Sequence, residues 1–267
     1  MEYKRILLGL AAATPLVFAG VSCQLGDKVK SGFDTISTVK TTIENKQDHH
    51  TVIVSGYGTP VKGNAKYEQY VKSVADYVNF EENGVDSIVF AGSYTDDPNL
   101  SEAESMNSFF NSQVDTTDLQ TRGIKVYKEE CSIMSWQNIS YAQELLAEKG
   151  IQPTLVTLFG DVNRSDKLQT FAAYKFNLAE GLPDNATELI DSAVNVATVQ
   201  FKGFDFADEV DSQDERNLKF AAEIAGAYDA KISNELLGKR LGEWSETFGL
   251  DVSDNLVKKG CTQYSGF

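Results

Sequence analysis

The chain has 267 residues, 42% hydrophobic and 10% aromatic, which is ample for a packed core and unlike the composition of a disordered chain. Its formal net charge is −15, and removing the first 22 residues, where Lys4 and Arg5 outweigh Glu2, leaves −16. A surface that acidic argues against nucleic acid as a partner and against docking on an anionic bilayer by charge alone.

At the N-terminus, Lys4 and Arg5 form a short basic region, and residues 6–19 are uncharged and apolar. This reads as a secretory leader over residues 1–22, too short and too weakly flanked for a membrane span. Gly20-Val21-Ser22-Cys23 resembles the lipobox of bacterial lipoproteins, in which the cysteine is lipidated after cleavage. Ser22 fits that pattern, and Gly20 stands where Leu is usual. Lipidation of Cys23 is the leading expectation, with ordinary cleavage or an uncleaved anchor helix as alternatives. All three place the body of the protein outside the cytoplasm, with Gln24 only a weak hint about which membrane. Residues 23–50 are polar and read as a tether, with room for a short helix around 29–43. The only histidines, His49 and His50, fall in this tether, and no Cys/His spacing fits a zinc site, so no metal site is expected. Cys131 and Cys261 remain. Their separation does not say whether the Cα atoms approach. Buried free thiols rank first, a disulfide second, and a reactive Cys131 last, because no histidine is near it in sequence.

The fold proper begins at Thr51. Residues 51–55 (Thr-Val-Ile-Val-Ser) are β-branched enough for a buried parallel strand, ended by Gly56-Tyr57-Gly58. Tyr67, Tyr70, Val71, Val74, Ala75 and Val78 recur at helical spacing. A second strand at 87–91 ends in Gly92-Ser93, and Ser101 reads as the N-cap of a helix whose apolar face is Ala103, Met106, Phe109 and Phe110. A third strand at 124–127 leads into a polar junction, 129–138, carrying Glu129, Ser132, Ser135 and Asn138. Ser135 is the expected N-cap of a helix at 135–149. A fourth strand at 154–158, a turn through Asp161 and Arg164, a further helix and a fifth strand at 195–201 complete the alternation. Such alternation predicts an α/β fold, a Rossmann-like doubly wound, mostly parallel sheet of about five strands over residues 51–203. The remaining 204–267 reads as a C-terminal helical extension packed on that domain. It opens on an acidic run that lacks calcium-loop spacing, then continues as helices at 218–232 and around Leu237, Leu241, Trp244 and Phe248.

The pieces at the strand ends also fall in a recognisable order. A Gly-rich turn follows strand one. Ala91-Gly92-Ser93 and Ser101-Glu102-Ala103 follow strand two. Then come Glu129-x-x-Ser132-x-Met134-Ser135-x-Gln137-Asn138 and Val156-Thr157 with Arg164 seven residues on. This pattern, over about residues 51–176, resembles the YdcF/SanA/ElyC-like domain family of bacteria. The resemblance implies a Rossmann-like fold, often envelope-anchored, with members linked to envelope integrity and to peptidoglycan or surface-polysaccharide metabolism. It leaves the cofactor unknown, S-adenosylmethionine being possible through the family alone. The family has no settled reaction. This chain carries Met134, Ser135, Gln137 and Asp161 where the family usually has Asn, Thr, Glu and His.

The matched residues suggest chemistry with a plainer alternative beside each. Gly56 and Gly58 would let backbone N–H groups approach a ligand, or simply make a tight turn. Arg164 would clamp a phosphate or carboxylate, or pair with Glu102 or Glu129. Glu102 and Glu129, starting from neighbouring strand ends, would share one crevice as base and hydroxyl-binding group, with Asp161 as the third catalytic candidate; alternatively they are helix-entrance charge. Ser101, Ser132, Ser135 and Asn138 complete the ligand-binding candidates, with Asn138 more a brace than a contact. The expectation is an envelope lipoprotein whose crevice binds a phosphorylated, nucleotide-like or glycosylated small molecule, or a lipid-linked precursor, with or without turnover. The alternative is a scaffold or sensor with a degenerate site and a partner-binding helical tail.

Overall fold

The computed structural model describes residues 49–57, 65–177, 198–206, 223 and 230–264. The leader, Cys23, the tether through residue 48, Gly58, the acidic run beyond Asp205 and most of the helix expected at 218–232 lie outside the described residues. His49–Val210 and Ile224–Phe267 form one compact unit.

Five strands, β1 (His50–Ser55), β2 (Val85–Ala91), β3 (Lys125–Glu129), β4 (Leu155–Asp161) and β5 (Thr198–Phe204), pair in parallel in the order β3-β2-β1-β4-β5. All six residues of β1 are buried, because this strand has a neighbour on each edge and helices on both faces. The pleat sends alternate residues to opposite layers. Val52 and Val54 meet α1 (Ala65–Asn79), α2 (Glu102–Asn111) and α3 (Thr116–Thr121). Ile53 meets α4 (Ser135–Glu148) and α5 (Ser165–Asn177). The α1 residues expected inward, Tyr67, Tyr70, Val71, Val74, Ala75 and Val78, are all buried. Each large apolar side chain so buried contributes on the order of 2 kcal/mol. The Rossmann-like α/β architecture expected from the sequence is therefore the observed one.

Several boundaries move. β4 runs on to Asp161, through Gly160, which the sequence reading treated as a turn. A Cβ at Gly160 would come within 2.6 Å of Leu168 Cδ1, so the glycine lets α5 lie close against the strand. β5 is displaced toward the C-terminus relative to the expected 195–201. His50 is not tether: it opens β1 and is 4% exposed, with Nδ1 2.6 Å from the Asn83 carbonyl and Nε2 2.8 Å from Thr157 Oγ1.

The C-terminal helices α6 (Ala230–Phe248) and α7 (Val252–Lys258) pack over the loops that follow β2 and β3. Leu237, Leu241, Val252 and Leu256 close on Tyr94 and Ile133. Asn255 Nδ2 donates to Pro98 O (3.1 Å), and Lys259 Nζ lies 4.2 Å from the Tyr94 ring centroid. Cys131 and Cys261 are joined in a disulfide with Cα atoms 5.5 Å apart. The expectation of two free thiols is thereby corrected. At a sequence separation of 130 the chain carries no local signal of the approach, which tertiary packing creates.

Candidate functional site

In this strand order the chain leaves β1 toward β2 on one side and returns as β4 on the other. The carboxyl ends of β1 and β4 therefore flank the point where the topology reverses, the usual ligand crevice of an open α/β sheet. β1 ends at Ser55 and β4 at Asp161. Ser55 is tied on two sides: its carbonyl accepts from Tyr70 Oη (2.9 Å) and its Oγ accepts from Asn138 Nδ2 (2.5 Å). Asn138 thus ties α4 to the end of β1.

Glu102, the first residue of α2, lies against both glycines of the neighbouring strand ends. A Cβ on Gly56 would collide with Glu102 Oε2, and one on Gly92 would come within 2.7 Å of it; Gly92 also has φ +157°. Thr95 Oγ1 donates to Glu102 Oε1, and the residue is 4% exposed. The Gly56 N–H donates to the Ala91 carbonyl (2.8 Å). The Gly56 turn is consequently filled by the Glu102 side chain and by sheet hydrogen bonding, not held open for an anion. The Gly56 N–H and Cα are thus taken up by the Ala91 carbonyl and the Glu102 side chain and are not offered to a cofactor.

Asp161, 4% exposed, accepts through Oδ1 from Asn163 N and Nδ2 (both 3.2 Å). Arg164 NH1 donates to the Gly56 carbonyl (3.3 Å), and the guanidinium lies 4.6 Å from the centroid of Tyr57, which stacks on Phe206 at 4.5 Å. Among the described residues the contacts shown for Arg164 are the Gly56 carbonyl and the Tyr57 ring rather than the Glu102 or Glu129 carboxylate considered for it. Burial pushes the Tyr70 hydroxyl well above its ordinary value. Arg164 pulls it back, and Glu102 and Asp161 push it further up. Glu102 and Arg164 both reach Gly56, one against its Cα and the other on its carbonyl, and Asp161 ends the neighbouring strand β4.

Glu129 is elsewhere. It ends β3, two residues beyond Tyr127, which packs with the α4 and α5 layer, whereas Glu102 starts a helix of the opposite layer. The charge of Glu129 is felt by Tyr141 and Tyr264, that of Glu102 by Tyr67 and Tyr70. The two carboxylates do not share a crevice. Glu129 is 7% exposed and accepts from the N–H groups of Cys131 (2.7 Å) and Ser132 (3.2 Å). Burial raises its carboxyl to about 7, against the Ser132 hydroxyl and those two N–H groups, which favour the anion; Glu130 adds to the rise. Tyr264, 1% exposed and one short turn beyond Cys261, donates to the Cys131 carbonyl (2.6 Å). Gln137 accepts from Ile133 N (2.9 Å) and donates to Tyr141 Oη (3.0 Å).

Of the remaining candidates, Ser101 caps α2 as expected, accepting from Glu104 N (2.9 Å), and donates to Glu130 (2.6 Å). Ser135 is buried at the first position of α4; the N-cap is Met134, without a side-chain bond. The expected Ser135 cap is thus corrected by one residue. Ser132 is buried beside Glu129. Among the described residues no group of three His, Cys, Asp or Glu side chains is placed to hold a metal ion. No helix among them is long and apolar enough to cross a membrane. Sequence reasoning missed Ser55, Tyr57, Tyr70 and Tyr264. Tyr70 was read as core, with Tyr67, because it falls on the apolar face of α1, yet a phenol in such a row is also a signal, since its hydroxyl needs a partner. No family model, curated protein or solved structure matches the chain.

Proposed function

We propose that this chain is an exported, envelope-anchored lipoprotein of the YdcF/SanA/ElyC-like type. In this reading it binds a phosphorylated, nucleotide-like or glycosylated small molecule at the carboxyl ends of β1 and β4. The observation that carries the reading is that Glu102 and Arg164 meet at Gly56, just past the end of β1, while Asp161 ends β4, the strand on the other side of the topological switch point. Charged groups gathered at a sheet's carboxyl edge are a candidate functional site on physical grounds. The Cys131–Cys261 disulfide supports an oxidising compartment, in keeping with the leader.

A second reading, a sensor or scaffold of the same fold without turnover, is favoured by one feature. Glu129, the expected general base, is enclosed beneath Tyr264 and the disulfide-linked tail. A base must reach the proton it removes, and this one faces its own chain.

Thermal unfolding of the full chain against nucleotide-sugars, polyprenyl phosphate analogues, amino sugars and S-adenosylmethionine tests the reading. A ligand at about 100 times its dissociation constant adds roughly 2.7 kcal/mol. A rise in Tm with a compound of the first three kinds is expected, and none with S-adenosylmethionine. No rise with any compound removes the ligand site and leaves the scaffold reading, whose partner would then be sought on α6 and α7.

A further inference from the structure

The disulfide does more than fix the end of the chain. The sulfur of Cys131 is bonded to Cys261, its N–H donates to Glu129 Oε1 (2.7 Å) and its carbonyl accepts from Tyr264 Oη (2.6 Å). One residue thus couples the crosslink, a buried carboxyl and the phenol of the C-terminal segment. The two sulfurs differ in reach: Cys261 is 1% exposed, whereas Cys131 is half-buried. An incoming thiolate attacks the sulfur it can reach, which favours exchange at Cys131.

Both cysteines belong to the apolar cluster that α6 and α7 form with Tyr94 and Ile133. No residue of that cluster belongs to the two clusters packed on the faces of the sheet. Opening it therefore leaves the packing of the sheet in place, as a local rather than a global event. Burial raises the Glu129 carboxyl to about 7, against the Ser132 hydroxyl and the N–H groups of Cys131 and Ser132, and Glu130 adds to the rise. Above that pH an enclosed carboxylate returns to water when the segment lifts, which favours release once the covalent tie is cut.

We propose that the Cys131–Cys261 bond is a reducible clasp: when an external dithiol cleaves it at Cys131, the segment from Val252 to Tyr264 lifts away and bares Glu129 and Gln137 at the end of β3. The first thiolate of the reagent bonds to Cys131 Sγ as the bond to Cys261 breaks, and Cys261 leaves as a thiolate that takes up a proton. The second thiolate of the reagent then closes on the first sulfur and releases the Cys131 thiolate, which is protonated in turn. The protein disulfide is reduced by two electrons and the dithiol is oxidised to a cyclic disulfide. The clasp lies at the end of β3 and is independent of the ligand site proposed at the ends of β1 and β4.

Carbodiimide labelling of carboxyl groups, mapped to single residues by mass spectrometry, tests the clasp on the full chain with and without dithiothreitol under native conditions. Iodoacetamide trapping shows which cysteines are reduced, with Cys23 read from its own peptide. Glu129 is 7% exposed and Asp161 4% exposed, so both start protected. On reduction, labelling of Glu129 should rise by about ten-fold while Asp161, at the end of β4, stays protected. Cys261→Ser should show the same pattern without reductant; if that variant does not fold, the reduced parent carries the test alone. A bond that dithiothreitol cleaves only after denaturant is added would overturn the proposal. So would a reduced chain in which Glu129 stays unlabelled. Equal labelling of Glu129 and Asp161 on reduction would overturn it too, because the disulfide would then hold the whole fold.

Discussion

Replacing Glu129 with Gln isolates the cost of burying a carboxyl without a cation. The folded carboxyl titrates at about 7 and the ordinary value is 4.5, so between those points the unfolded chain releases a proton that the folded chain keeps. The contribution of Glu129 is therefore most favourable below about pH 4.5 and is lost as pH rises through about 7. The full loss is about 3 kcal/mol. Gln is neutral throughout and escapes it. In exchange, Gln sets an NH2 donor against one of the two N–H groups, from Cys131 and Ser132, that the carboxyl oxygens receive, a penalty of roughly 1–2 kcal/mol with either the acid or its anion as reference. Glu129→Gln should accordingly be less stable than the parent at about pH 4.5 and more stable by about 1–2 kcal/mol at about pH 8.5. Urea denaturation of both proteins at the two pH values measures this, and the comparison cancels every other titrating group to first order. A stability difference that is the same at both pH values would refute the reasoning, because it would mean that the folded carboxyl is ionised across the whole range.

Three further outcomes follow from the geometry. Gly56→Ala places a methyl group against Glu102 Oε2 and Cδ, and should lower stability in urea by about 1–3 kcal/mol, as overpacking does; an unchanged midpoint would mean Glu102 moves aside freely. Cys261→Ser removes a crosslink spanning 130 residues and should cost about 2–5 kcal/mol, with a Tm that no longer responds to reductant. His50 is held below its ordinary value by burial, against the Asn83 carbonyl and Asp86, which raise it, so its contribution is present above about pH 6.5 and is lost as pH falls. The margin of the parent over His50→Gln should shrink on acidification, and a margin that grows would contradict the assignment.

How much of this was legible in the sequence depends on whether the signal was local. The run Thr51-Val-Ile-Val-Ser could only be a strand buried on both faces, and the tyrosine and valine spacing of α1 fixed the inward side of that helix. Ser101, just ahead of the apolar face that begins at Ala103, announced the α2 cap. Where polarity and position disagree, the reading slipped. His50 looked like tether because its neighbours are charged, yet two hydrogen bonds let a neutral imidazole enter the sheet. Gly160 and Asp161 looked like a turn because glycine usually breaks a strand, whereas here it admits Leu168. The separation of Glu129 from Glu102 was hidden for a different reason. The carboxyl ends of neighbouring strands are close in space, but the pleat decides which layer each side chain joins, and ending β3 at Tyr127 left Glu129 outside the strand and so outside that alternation. The disulfide and the Tyr264–Cys131 contact depend on how α6 and α7 settle, and no pattern near Cys131 encodes that.

The central claim is that the ends of β1 and β4 form a ligand site, and the most direct measurement is ligand-dependent unfolding of the parent and Arg164→Ala side by side. Among the described residues Arg164 donates to Gly56 O and lies over Tyr57, so its removal should leave the fold standing and open the crevice wall. The account predicts that a compound stabilising the parent shifts Arg164→Ala by a clearly different amount while the unliganded variant retains most of its stability. An identical shift in both proteins would place the ligand away from this crevice and contradict the account.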